Sequence, residues 1–188
     1  MMLMIMVMLL GVSAAQLSLQ GEKAARGERD RDVAFLAAED ALADAERDIE
    51  GGLEGGGDPA RAAAFGPEAA DFAAAGCAGA DAAAAGLHAR AVAGATPVWQ
   101  RVDLSGKEDA GACTVTHGAF TGAAMPTGEG FLPFKKPRYL IERMECPQPG
   151  DDAAAGAPSR YCYRVTVIGF GAKPGTEVVL QSVFSKPE

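Results

Sequence analysis

The chain has 188 residues, of which 48% are hydrophobic, and its 17 basic and 25 acidic side chains leave a net charge of -8. That balance, with no cluster of Lys and Arg, excludes a dedicated nucleic-acid surface. Once an apolar N-terminal segment is set aside, the length leaves room for one soluble domain of ordinary size. Asn is absent while Ala and Gly abound, a compositional bias that discounts any argument from alanine richness alone.

Residues 1–19 come first and are apolar, with no charge from Met1 to Ala15. They predict a membrane helix whose surface includes Met4, Ile5, Val7, Leu9, Leu10, Gly11 and Val12, with Gly11 allowing close approach or local bending. A spanning helix needs about 20 apolar residues, and no basic residue precedes this run. The expectation is therefore an N-terminally truncated anchor, with translation beginning upstream of Met1. A cleaved signal peptide fits less well, because the basic n-region is missing and Val12-Ser13-Ala14-Ala15 makes a weak cleavage site.

Residues 20–50 predict the amphipathic continuation of that helix. Pro is absent from Met1 to Gly57, and good helix formers dominate from Ala24 onward. Phe35, Ala38, Leu42, Ala45 and Ile49 recur at steps of three and four, which places one apolar stripe on one face. The mixed charges from Glu22 to Asp32 read as a solvated surface. Gly51-Gly52, then Gly55-Gly56-Gly57-Asp58-Pro59, end the helix.

Residues 51–97 form an Ala/Gly-rich variable region, a surface loop or a flexible linker, with short helices expected near Ala60–Phe65 and Pro67–Ala75. Residues 98–188 read as an antiparallel β domain. Strand signals appear at Val98–Val102 and Cys113–Thr116, and the strongest at Arg138–Met144, Tyr161–Ile168 and Thr176–Phe184, a three-strand meander. Such a sheet must bury one face, and the helix stripe is the one long apolar surface left to cover it. The expected fold is thus α+β, with Phe35, Leu42 and Ile49 packed on Tyr163, Val165, Val167, Val178 and Leu180.

The four cysteines, Cys77, Cys113, Cys146 and Cys162, contain no C-x-x-C pair, and an even number beside an export-type N-terminus favours disulfides. A hairpin that pairs Met144 with Arg164 brings Cys146 opposite Cys162, at a Cα separation a disulfide tolerates. Cys77 and Cys113 remain as the second pair.

No chemistry-bearing constellation emerges, and no cofactor is expected. Cys113 and His117 lie four apart, but a second pair of zinc ligands is missing. Gly169 to Thr176 holds Gly, Lys and Thr, yet Pro174-Gly175 leads into β-branched residues rather than a helix, so a phosphate loop is excluded. His88 and His117 have no nucleophile and orienting acid in a motif around them. Ser105 and Ser182 lack a nucleophile elbow, and Asp151-Asp152 falls in a Pro/Gly/Ala loop.

Several stretches carry a resemblance. Gln20-Gly21-Glu22-Lys23-Ala24-Ala25-Arg26, Asp30-Arg31-Asp32-Val33-Ala34-Phe35 and Ala37-Ala38-Glu39-Asp40-Ala41-Leu42 stand at one end of the chain. Pro137-Arg138-Tyr139-Leu140-Ile141-Glu142, Tyr163-Arg164-Val165-Thr166, Gly169-Phe170-Gly171 and Val178-Val179-Leu180-Gln181-Ser182-Val183 stand at the other. As a set, in this order and spacing, they resemble the PilX-type minor pilins of the type IV pilus. The basic leader of that family, with its Gly before the prepilin peptidase site, is not in this sequence. The resemblance implies a pilin-like fold and a non-enzymatic protein of the inner membrane, its C-terminal domain in the periplasm and, after assembly, at the pilus or cell surface. Its implied partners are membrane lipid before assembly, the inner-membrane assembly platform, other minor pilins and the major pilin. Its implied role is priming of assembly at or near the pilus tip, with adhesion or aggregation as accompanying roles. The alternatives are a type II secretion pseudopilin, which shares anchor and fold, and a membrane-tethered periplasmic binding or sensor domain.

Overall fold

The computed structural model describes residues 2–51, 59–66, 72, 77, 82–107, 113–146 and 161–186. One helix, α1 (Met2–Glu50), occupies 49 residues. It ends at Gly51, whose φ of +110° suits a residue without Cβ and whose N–H donates to the Asp48 carbonyl at 3.2 Å. After it come α2 (Pro59–Ala63), a 3-10 turn (Ala82–Ala84), β1 (Leu87–Ala89), α3 (Val98–Arg101), β2 (Val115–Thr116), β3 (Arg138–Glu145), β4 (Tyr161–Phe170) and β5 (Glu177–Ser185). The strands form one five-stranded sheet in the order β1-β3-β4-β5, with β2 also pairing β3.

The second half of α1 lies across β4, β5 and β3. The face it buries is made of Ala34, Ala37, Ala38, Ala41, Ala45 and Ile49. Small residues let the helix backbone come close, and Gly169 on β4 shows how close. A Cβ there would stand 2.1 Å from the Ala34 carbonyl oxygen and 2.8 Å from Ala38 Cβ. On the sheet side the core continues through Tyr139, Ile141, Tyr163, Val165 and Val167, with Leu180 and Phe184 packed at its margin. Phe65 and Phe72 close the far end, the Phe65 ring meeting Tyr163 edge-on at 5.4 Å.

The other sheet face is buried over β3 and β4, where Leu140, Glu142, Thr166 and Ile168 are shielded. The turn after α3 lies against it. A Cβ on Gly106 would overlap the Arg138 guanidinium, and Lys135 donates to the Ser105 carbonyl while sitting 4.9 Å from the Phe170 ring centre. Over β5 the same face is open, with Val179 and Val183 exposed.

The structure departs from the expectations above at five points. The sheet is mixed, since β1 runs parallel to β3 with Leu87 opposite Ile141. This strand falls inside the region read as Ala/Gly-rich loop. Leu-His-Ala carries no β-branched signal, and its pairing depends on Gly86, whose carbonyl accepts from the Ile141 N–H at 2.8 Å. Val98 to Val102 is not a strand, because the backbone turns at Pro97 into the short helix α3 that buries Val98. The β3–β4 register is shifted by two residues, with Met144 opposite Cys162 rather than Arg164. A shift of two preserves the inward and outward faces, so alternation alone could not detect it.

Fourth, Phe35 is not in the core. It is 42% exposed and Leu36 63%, because the contact with Gly169 has room only for alanine on the facing side. Fifth, the helix expected near Ala60–Phe65 begins at Pro59 and ends at Ala63. The one expected over Pro67–Ala75 lies outside the described residues, Phe72 excepted.

Candidate functional site

From Leu3 to Arg29 every described side chain of α1 is exposed, and residues 3–19 of that stretch are apolar or uncharged. Met4, Ile5, Val7, Leu10, Gly11 and Val12 all stand in the open, and nothing lies within 4 Å of where a Gly11 Cβ would be. The Leu9 side chain lies outside the described residues. So long an apolar surface is not stable in water and requires lipid or protein around it. This helix is long and apolar enough to cross a membrane.

Where α1 enters the domain, Asp30 is buried and joins the helix to the β4–β5 turn. Its carboxylate accepts from the backbone N–H of Ala172 at 2.6 Å and of Lys173 at 3.1 Å, and from the Thr176 hydroxyl. Burial alone would raise the Asp30 pKa. The hydrogen bonds from Thr176, Lys173 and Ala172, with the Lys173 charge, outweigh it and hold the carboxyl below its ordinary value. The segment that superficially resembles a phosphate loop therefore does hold an anion on its amides, and the anion is this internal carboxylate.

Further along the helix three more acids each dock another part of the chain. Asp40 Oδ2 lies 3.0 Å from His117 Nε2, although neither ring nitrogen has hydrogen-bond geometry to a partner. Asp44, fully buried, accepts from the Gly118 N–H at 2.7 Å and from the Thr121 hydroxyl. Asp48, also buried, takes two charge-assisted hydrogen bonds from Arg61, Nε at 2.9 Å and Nη2 at 2.7 Å, and one from the Tyr139 hydroxyl at 2.9 Å. Arg61 Nη1 reaches the carbonyls of Ala83 and Ala85, both at 2.8 Å, and its guanidinium stacks 4.1 Å from the Phe120 ring centre. Burial, then the negative charges of Asp48 and Asp44, push the Tyr139 phenol well above its usual value, which keeps it a donor. Asp48, Arg61 and Tyr139 thus pair one another's buried polar groups, as low dielectric demands.

The residues named from sequence for the helix–sheet core occupy varied positions. Ile49, Tyr163, Val165 and Val167 are inside the core, Leu42 and Leu180 are partly buried against it, and Val178 is partly buried on β5. Asp30 belongs to the mixed charges that read as solvated surface, and nothing in the apolar stripe singles out Asp44 and Asp48, yet all three are buried. The four-residue spacing of Asp40, Asp44 and Asp48, on the side that carries Ala37, Ala41 and Ala45, is the signal available for the last two.

The cysteines form two pairs, Cys77 with Cys113 and Cys146 with Cys162, at Cα separations of 4.5 and 5.6 Å. Cys113 is thereby unavailable to a zinc site with His117. His88 Nε2 is 2.8 Å from the Cys113 carbonyl oxygen, within the same buried corner. Among the described residues no group of three or more His, Cys, Asp or Glu converges as a metal site.

An exposed apolar helix that leaves its own helix-on-sheet domain, with the domain latched along the helix by buried acids, is the architecture of a pilin-like assembly subunit. A family profile described as type IV pilus assembly protein PilX, C-terminal part, matches residues 59–186, and the PilX N-terminal profile matches residues 1–43. The chain belongs to the PilX family, a family of type IV pilus assembly proteins of the minor pilin class. No curated protein and no solved structure matches it.

Proposed function

We infer that this protein is a minor pilin that is held in the inner membrane by the first half of α1, with its domain in the periplasm, until it enters a pilus. Its working surface is the helix from Met4 through Val12 and on to Leu19. In the membrane that surface packs against lipid and other apolar helices through van der Waals contact. In a filament the helices of other minor pilins and of the major pilin take the place of lipid. The assembly platform transfers it from one setting to the other, and the protein primes assembly at or near the tip. The single observation that carries this reading is the exposure of about half of an unbroken 49-residue helix.

The test is deletion of residues 2–15. Piliation is expected to fall sharply in cells that depend on this protein, with the domain released from the membrane fraction. Normal piliation with the deleted chain would overturn the assembly role. Gold-labelled antibody against the domain is expected at filament ends, and uniform labelling of the shaft would overturn the tip position.

A further inference from the structure

Beside Asp30 lies a cavity of about 380 Å³, bounded by α1, the β4–β5 turn and the loop at Gly130–Phe131. Arg26, Arg29 and Lys173 line it together with Asp30, Val33 and Phe131. The Asp30 carboxylate is already engaged by three hydrogen bonds of the turn. Arg26 pairs with the exposed Glu22, and Arg29 stands 5.4 Å over the Phe131 ring. In a chain of net charge -8, Arg29 and Lys173 beside an internally satisfied acid, with Arg26 shared with Glu22 at the exposed rim, form a local positive site. Phe131, 72% exposed, and Leu132 add an apolar edge.

The height of this site above the apolar helix identifies what fills it. Arg26 and Arg29 follow Leu19 by seven and ten residues, about 10 and 15 Å of helix rise. The headgroup layer extends the bilayer by roughly 5–8 Å beyond the hydrocarbon on each side, and an Arg side chain spans the remainder. Aromatic side chains favour this same zone. We propose that the collar formed by Arg26, Arg29, Lys173 and Phe131 binds the phosphate headgroup of an anionic phospholipid. The domain is thereby seated on the membrane in a fixed orientation before assembly. The inference rests on the reading of α1 as a membrane anchor.

The test uses the full chain in nanodiscs of phosphatidylcholine, with or without phosphatidylglycerol. Insertion into the phosphatidylcholine disc reads the anchor alone. Failure to insert in either disc overturns the anchor and the collar together. Phosphatidylglycerol is expected to slow amide exchange at 128–132 and 172–175 and to be retained by the protein in native mass spectrometry. Each cation replaced by Gln is expected to weaken retention about fivefold, from roughly 1 kcal/mol per basic residue at an anionic surface. R26Q/R29Q/K173Q should then lose it, and R26K/R29K/K173R should keep most of it. K173Q alone changes an exposed side chain and serves if the triple variant does not fold. Equal exchange in the two discs, unchanged retention in K173Q, or full protection of both loops by inorganic phosphate without phosphatidylglycerol would overturn the lipid assignment.

Discussion

The two halves of α1 are built of the same regular backbone and treat their surroundings in opposite ways. From Leu3 to Leu19 the side chains are chiefly large and apolar, Met, Leu, Ile and Val, and every described one is exposed. From Asp30 to Ile49 the inward side chains are alanines and three buried aspartates, and Ile49 is the one large apolar residue fully buried among them. The difference reports the kind of partner each half has. A rigid sheet already in place allows backbone approach to within van der Waals contact, as at Gly169, so small residues suffice and misfit is severe. A lipid tail or a neighbouring helix adapts its shape, so bulky conformable side chains are suitable and individual substitutions are forgiven.

The largest effect that would break this contrast is at Asp48. Asp48→Ala leaves Arg61 charged and buried without its partner, a situation that costs about 3–5 kcal/mol. A fall in Tm of roughly 10 °C follows for a domain of this size. Met4→Ala or Met8→Ala in the exposed half should leave Tm of the domain unchanged in detergent. Comparable shifts at both ends of the helix, measured by thermal unfolding, would show that the two halves are not distinct in this sense.

Gly169→Ala sharpens the same comparison through shape alone. The new Cβ meets backbone rather than a movable side chain, so the helix has to shift, at about 1–3 kcal/mol. Gly11→Ala meets nothing and is expected to be neutral for the fold, or slightly favourable through helix propensity. Equal stability of the Gly169→Ala variant and the native chain would refute the tight contact.

How far these features were legible depended on which physical signal they leave. The long helix and the three main strands were readable because periodicity over many residues is robust, and the β4 alternation survived even a two-residue register error. The Cys146–Cys162 pair was anticipated on the wrong register. Both registers leave Cys146 beside the start of β4, since the bridge needs proximity and not strict opposition. The stripe was misplaced at Phe35 because hydrophobicity scales reward size, whereas this interface selects smallness. Biased alanine composition hid the real stripe, as every face of α1 carries alanines. The acids were illegible for another reason: an Asp looks the same in sequence whether it faces water or the amides of a turn more than 140 residues away.

The two disulfides offer an intermediate effect. Replacing Cys146 and Cys162 together by Ala frees a loop closed by a 16-residue separation, which corresponds to about 3 kcal/mol in the chain-entropy treatment. Some of that reappears as strain relief or denatured-state structure, so a loss of about 2 kcal/mol is a reasonable expectation. Non-reducing peptide mapping should recover Cys77 linked to Cys113 and Cys146 linked to Cys162. Recovery of cross-linked pairs in any other combination would contradict the positions of β3, β4 and the Cys113 segment together.

The smallest effect lies at the boundary between the two halves, at Asp30, and its sign is fixed by protonation. The Asp30 carboxyl is held below its ordinary value of 3.8 by the turn it binds. A group whose folded pKa is depressed contributes stability that is fully present above the unfolded value and is lost as pH falls through the folded one. The native chain should therefore lose an increment of stability as pH drops from about 4 downward, while Asp30→Asn lacks that increment at every pH. The difference between the two, about 1–2 kcal/mol at neutral pH from charge-assisted hydrogen bonds, should shrink toward zero in acid. Other carboxylates titrate over the same range, which is why the difference and not the absolute curve is diagnostic. The β4–β5 turn is the place to look, since the Ala172 and Lys173 amides lose their charged acceptor when Asp30 is protonated or replaced by Asn, and keep only a weaker neutral one. Amide exchange there should rise in the variant at neutral pH and match the native chain in acid. A gap between the two proteins that widens as pH falls would mean that Asp30 does not latch the helix to the turn as an anion.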